Sequence, residues 1–170
     1  MRLEKGDMWE ALETADLFCI TTNAQTRADG ALVMGRGIAA QAVRRFPKLR
    51  HEAGAWLRHR DMVGKAYGLA VLHDGIPATR PHPFALFQVK YHWRDEASTQ
   101  LIQQSVAALT EWCEDWYVHY GEFPDAEWPN VHLNFPGIGN GRLSRDAVLP
   151  LLEPLPDCVT VWEYAGRREA

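Results

Sequence analysis

No stretch of the 170-residue sequence approaches the ~18 consecutive apolar residues of a membrane span. The first residues, Met-Arg-Leu-Glu-Lys-Gly-Asp, also lack the apolar centre of a signal peptide. A cytoplasmic protein that does not engage membranes is therefore expected. Cysteine is scarce. Cys19, Cys113 and Cys158 are odd in number and far apart, which argues against a disulfide framework or a zinc site. They are expected to be reduced core residues. The seven histidines show no paired ligand spacing, so no protein-bound metal is expected. Charge of neither sign dominates, and a net charge of −4 gives no ground for tight nonspecific nucleic-acid binding. Only Arg44 to Lys65 is locally basic, with Arg44, Arg45, Lys48, Arg50, Arg58, Arg60 and Lys65 set against Glu52 and Asp61. That bias suits either a solvated helix face or a surface facing phosphates.

What is present suits a single domain over residues 1–170, burying roughly 70% of the unfolded chain's surface. Its most organised stretch runs from Ile20 to Phe46. An apolar run ends in Thr21-Thr22-Asn23, passes a glycine pair at Gly35 and Gly37, and opens into a helical period of Ile38, Ala39, Ala42, Val43 and Phe46. Glycines at a helix start let a ligand approach the backbone, and the helix dipole favours an anion there. The spacing matches neither the dinucleotide nor the P-loop fingerprint. On pattern alone a plain glycine turn before an amphipathic helix stays open.

Taken in order, Leu3 to Lys5 reads as a short strand, Met8 to Thr14 as a short helix and Ala15 to Thr22 as a buried strand. Arg27 to Gly30 is a turn. The helix after the glycine pair stops near Phe46 at Pro47, and Lys48 to Arg60 resumes helical period. Ala66 to His73 and Phe84 to Val89 are candidate strands, and Asp74-Gly75 between them suggests a hairpin. Ser98 to Tyr117 is a long helix, His119 to Pro129 a loop and Asn130 to Phe135 a strand. Gly137 to Gly141 forms a second glycine loop. Ser144 is a candidate N-cap for a segment through Leu152 that Pro150 keeps short or kinked, and Cys158 to Tyr164 closes as a strand. Strands separated by helices imply an α/β layer structure, in which ligands bind outside the carboxyl ends of the strands. Both glycine loops leave strands at that end, an arrangement suited to a diphosphate.

Four stretches together resemble the macrodomains, ADP-ribose-binding domains of three-layer α/β/α architecture around a central mixed, mostly parallel sheet. They are Gly6-Asp7, then Thr22-Asn23 with Val33 to Ala39, then Phe87 to Arg94, and Pro136 to Leu143. The resemblance lies nearest the branch holding the DarG-type DNA ADP-ribosyl glycohydrolases and the terminal ADP-ribose protein glycohydrolase. It implies that Asp7 accepts a hydrogen bond from the adenine amino group while the Met8 backbone meets the ring. Without it, Asp7 reads as the cap of the following helix. The resemblance further implies a diphosphate cradle from Met34, Gly35, Arg36, Gly37 and Ile38 on one side, with Pro136, Gly137, Ile138, Gly139, Asn140 and Gly141 on the other. Asn23 would hold the distal ribose, and Trp162 and Tyr164 would flank the adenine or else belong to the core.

Lys90, in Val89-Lys90-Tyr91-His92-Trp93-Arg94, stands where glycohydrolases of this branch carry a catalytic lysine. An amine there would attack the anomeric carbon or capture the ring-opened aldehyde, and either route needs a lowered pKa. His92 would transfer a proton if it pointed inward and otherwise serves as a structural hydrogen-bonder. Gly141 occupies the place of the aspartate that protein-specific glycohydrolases pair with their lysine. Arg142 replaces a common glycine, Ser144-Arg145 a frequent Asp-Trp pair, and the Arg27–Gly30 turn lengthens the first loop towards the distal ribose. The resemblance therefore implies a monomeric hydrolase without cofactor, whose partner is ADP-ribose on a target. A base in single-stranded DNA is favoured over a protein side chain. A non-catalytic ADP-ribose reader is the alternative, and a phosphatase is disfavoured because no phosphate-attacking histidine accompanies the loops.

Overall fold

The computed structural model describes residues 1–72, 83–120 and 127–164, the side chain of Tyr120 excepted. The strands are β1 (Arg2–Gly6), β2 (Leu17–Thr22), β3 (Leu69–Leu72), β4 (Phe84–Gln88), β5 (Val131–Asn134) and β6 (Val159–Tyr164). The α-helices are α1 (Gly37–Arg45), α2 (Leu49–His59), α3 (Thr99–Tyr120) and α4 (Arg145–Val148), with 3-10 turns over Met8–Thr14, Gly139–Gly141 and Leu149–Leu152. Local chemistry sets several of these ends. Pro47 has no N–H to continue α1, whose last bond runs from Phe46 N–H to the Ala42 carbonyl. Ser144 Oγ accepts from Ala147 N–H to start α4. Pro150 cannot donate to the carbonyl four residues back, so α4 passes into a 3-10 turn after four residues.

The six strands form one sheet in the order β1-β6-β5-β2-β4-β3. All neighbours are parallel except β3, which pairs antiparallel with β4. This is the mixed, mostly parallel sheet expected from the sequence. The β3–β4 pairing agrees with the expected hairpin, although its Asp74-Gly75 turn lies outside the described residues. So do most of the Pro77–Pro83 stretch and the middle of the His119–Pro129 loop.

Strand residues alternate between two apolar layers, as a sheet covered on both faces requires. Leu17 and Cys19 of β2, Ala85 and Phe87 of β4, and Val131 and Leu133 of β5 face α3 with α4. Phe18, Ile20, Phe84 and Leu86 face α1, α2 and the Met8–Thr14 turn. The second layer is knit by rings: Trp9 stacks on Phe18 at 4.9 Å, Phe18 meets Phe84 edge-on at 5.6 Å, and Phe46 reaches Phe84 at 5.1 Å. Among the described residues no helix is long and apolar enough to cross a membrane, and no group of three or more His, Cys, Asp or Glu is placed to hold a metal.

Two features of this layer make predictions. Gly54 of α2 lies against the loop after β2, where a Cβ would stand 1.9 Å from the Gly30 carbonyl oxygen. The same contact carries a bond from Leu32 N–H to the Arg50 carbonyl at 2.8 Å. Gly54→Ala is expected to destabilise by about 3 kcal/mol through overpacking against backbone, measured by urea unfolding. His132 of β5 is 6% exposed, its Nδ1 accepts from Trp162 Nε1 at 3.0 Å, and its Nε2 is buried with no hydrogen-bond partner among the described residues. Burial, and then nearby Arg2, lowers its pKa, against a smaller opposite effect of Asp16. A depressed folded pKa means that stability is fully present above the ordinary histidine value near 6.5 and falls as pH drops through the lowered one. Denaturation midpoints should decline with acid over that range, and His132→Phe should flatten the decline.

Candidate functional site

Five parallel strands deliver their carboxyl ends to one edge of the sheet. There β2 stays paired with β4 as far as Thr22–Gln88, but its register with β5 ends at Cys19–Leu133. Past that point β2 and β5 splay. The Asn134 side chain spans the split, its Oδ1 accepting from Thr21 N–H at 3.0 Å and its Nδ2 donating to Thr21 Oγ1 at 2.8 Å. A cleft of about 310 Å³ opens above, lined by Asn23, Met34, Gly35, Arg36, Gly37, Ile38, Lys90, Gly137, Ile138, Asn140 and Gly141 among others. A larger hollow of about 1090 Å³ lies at the opposite edge between Arg2, Asp16, Trp116 and Trp128, away from both glycine loops.

The first wall is the Gly35–Gly37 turn running into α1. Arg36 is its N-cap and offers no side-chain hydrogen bond, so the helix presents its unbonded first-turn N–H groups beside the cleft. The second wall is the Gly137–Gly141 loop, held by bonds from Leu143 N–H to the Gly137 carbonyl and from Ala97 N–H to the Gly141 carbonyl. The walls nearly touch: a Cβ on Gly37, whose φ is +56°, would stand 3.3 Å from Asn140 Nδ2.

Lys90 follows β4 and sits between these walls, 8% exposed. Its Nζ donates to the Asp95 carbonyl at 2.9 Å and the Asn140 carbonyl at 3.0 Å, tying the end of β4 to the second loop. Burial, foremost, then the Arg142 guanidinium and more weakly Arg36, push its pKa below the usual lysine range, while Asp95 opposes them. Arg142 occupies the left-handed region at φ +63°, where a residue without a Cβ is the natural occupant.

Asn23, also buried, has its amide partly committed: Nδ2 donates to the Val33 carbonyl and Oδ1 accepts from Gln25 N–H. One N–H and one lone pair remain for a ligand. Behind both residues lies a buried network. Gln88 Oε1 accepts from Tyr67 and Gly68 N–H, and its Nε2 donates to the Lys65 and Lys90 carbonyls. The Tyr67 hydroxyl lies 2.7 Å from Thr22 Oγ1 and donates to the Asn23 carbonyl at 3.0 Å. Sequence reasoning missed Tyr67, Gln88 and Asn134 as parts of the site. A lone amide inside the apolar run Phe84–Val89 was the available signal, since a buried polar side chain must find partners.

Other candidates fall outside the cleft. Asp7 Oδ1 accepts from Trp9 N–H and caps the Met8–Thr14 turn, and Met8 is buried in the core. Pro136 and Gly139 do not line it, nor do Trp162, bonded to His132, and the exposed Tyr164. The His92 Nδ1 accepts from Arg94 N–H and its ring lies against Trp93. The Arg27–Gly30 turn folds back towards α2 and is not among the residues that line the cleft.

No protein-family model matches the chain, and no curated protein matches it in sequence. Among solved structures it is similar to the macrodomain of Thermus aquaticus DarG, with a TM-score of 0.67 and 25% identity over 96% of each chain. The macrodomain of Mycobacterium tuberculosis DarG gives 0.67 and 24% identity, over 95% of this chain and 96% of that one. Thermosipho africanus DarTG in complex with ADP-ribose gives 0.64 and 20% identity, over all of this chain (100%) and 43% of that one. The fold is that of a DarG-like macrodomain.

The geometry around Lys90 makes its own prediction. Removing a neighbouring cation lowers the cost of charging the amine, so Arg142→Gly should move the Lys90 titration upward towards 10.5. Carbon-13 NMR of labelled lysine in both proteins reads the two midpoints directly.

Proposed function

We propose that this macrodomain binds ADP-ribose and hydrolyses the glycosidic bond joining it to a target, a nucleic-acid base in preference to a protein side chain. The observation that carries the reading is the burial of Lys90 between two glycine loops at the carboxyl edge of the sheet, with its pKa lowered. A lysine placed only to end a strand would extend into water. The likeness to DarG macrodomains, and to DarTG bound to ADP-ribose, supports the choice of ligand.

In this reading the diphosphate lies along the Gly35–Ile38 and Gly137–Gly141 backbones, and the distal ribose meets the free N–H and lone pair of Asn23. The neutral Lys90 amine attacks the anomeric carbon. A C–N bond forms as the bond to the base breaks, and the base departs with that electron pair and the proton given up by the attacking nitrogen. Water then hydrolyses the ribosyl-lysine adduct, releasing ADP-ribose and restoring the amine. Gly141 stands where the resemblance places the aspartate that protein-specific glycohydrolases pair with their lysine, so that pairing is missing here, which favours a nucleobase over a protein ester as the target.

The experiment is incubation with ADP-ribosylated single-stranded DNA and detection of free ADP-ribose. Lys90→Ala is expected to lower the rate by on the order of 10²–10⁴-fold while leaving ADP-ribose binding measurable by calorimetry. Lys90→Arg should be equally inactive, since a guanidinium does not supply a neutral nitrogen. Equal release by wild type and Lys90→Ala would falsify the mechanism. One observation favours a second reading, an ADP-ribose reader without turnover: two carbonyls already hold Nζ in the arrangement of a protonated ammonium. Binding of ADP-ribose with no release from any conjugate would select it.

A further inference from the structure

We infer that Trp93 is a stacking platform for the nucleotide adjoining the modified one, so that the mouth of the cleft grips a strand of nucleic acid and not an isolated conjugate. The inference rests on the hydrolase reading above and adds to it the part of the substrate that lies beyond the ADP-ribosylated base.

Immediately after Lys90 the chain exposes two large aromatic side chains in succession, Tyr91 at 42% and Trp93 at 39%. Neither belongs to the two apolar layers that face the sheet. Trp93 borders the cleft. At the cleft mouth the indole keeps part of its surface open to a ligand.

The turn that carries it is locked by its own hydrogen bonds. Arg94 N–H donates to His92 Nδ1, His92 N–H to Asp95 Oδ2, and Asp95 N–H to the His92 carbonyl. Ala24 N–H donates to the Tyr91 carbonyl at 3.0 Å, which pins the turn to the residue after Asn23. The indole is therefore presented from a fixed backbone beside both proposed site residues.

Its surroundings match a nucleobase and its phosphates. The His92 ring lies at 5.6 Å and 29° to the indole, and the Arg94 guanidinium is 4.6 Å from the indole ring centre. Planar cations and aromatic rings in series are surfaces on which unpaired bases stack. Arg36, Arg94 and Arg142 set three guanidinium groups around this mouth, while Glu96 is drawn to Arg142 at 3.7 Å and the Asp95 carboxylate to the His92 backbone. The surplus at this mouth is positive, which favours a phosphodiester strand. A protein conjugate would need neither the planar stack nor that surplus.

The test compares two substrates carrying the same ADP-ribosylated base, a short single-stranded oligonucleotide and the mononucleoside. Trp93→Ala should raise KM for the oligonucleotide roughly tenfold or more, leaving its kcat and both constants for the mononucleoside unchanged. Trp93→Phe, which keeps a ring, should recover most of the affinity. Equal losses on both substrates would mean that the indole only supports the cleft, and no change on either would mean that it takes no part; each overturns the inference. So would a loss confined to an ADP-ribosylated protein. If the wild type turns over no conjugate, the hydrolase reading fails separately, and the platform is then read from binding of unmodified single-stranded oligonucleotide at saturating ADP-ribose. A tenfold weakening by Trp93→Ala sustains it, and identical binding overturns it.

Discussion

The carboxamide of Gln88 is the point on which the rest of the site depends. It sits at the last residue of β4, fully buried, and makes four hydrogen bonds to backbone groups of Lys65, Tyr67, Gly68 and Lys90. A buried amide left with even one unmet partner costs about 1–3 kcal/mol, so the segment before β3 is held at one distance from β4. That segment brings Tyr67, whose hydroxyl fixes Thr22 and the Asn23 carbonyl. The ends of β2 and β4 are thereby set relative to each other through side chains, beyond the reach of the strand ladder. Ser105 of α3 adds a hydroxyl within 2.7 Å of the Gln88 carbonyl and 3.0 Å of the Gly68 carbonyl, anchoring the network to the helix layer behind it.

Opposite this anchored side, β2 and β5 part company. One strand pair continues to its end while the other stops three residues short on β2, and the gap between them is the floor of the cleft. Parallel sheets open in this way where chain connections leave a strand in opposite directions. Both glycine loops leave from strands bordering the gap, which is why backbone N–H groups and not long side chains form its walls.

Much of this architecture was legible in the sequence. The strands and helices are set by apolar runs, by the 3.6-residue period of α1 and α3, and by Pro47, Ser144 and Pro150, all of which act over a few residues. The glycine loops could be picked out because their residue types are unusual in place, whereas Lys90 was singled out only by the resemblance to the macrodomains. What could not be read were relations between distant segments: that Asn23 spends part of its amide on Val33 and Gln25, that Gln88 reaches back to Tyr67, and that Asn134 closes on Thr21. Asp7 illustrates the limit from the other side. One carboxylate fits both a helix cap and an adenine contact, and short-range pattern cannot choose between them; in the structure its Oδ1 serves the cap.

The pairing of β1 with β6 has a consequence in time. Among the described residues the first strand, Arg2–Gly6, pairs with Val159–Tyr164 at the edge of the sheet, and Met1 N donates to the Leu155 carbonyl. During synthesis those opening residues must wait, unpaired, while more than a hundred others are made. The two walls of the cleft are likewise born about a hundred residues apart, at Gly35–Gly37 and Gly137–Gly141. Contacts of such long range make folding slow and leave nascent strand edges uncovered. A ligand that needs both walls can add its binding energy only to the finished chain. Occupancy of the cleft is thus a direct report that its second wall has been made and brought against the first.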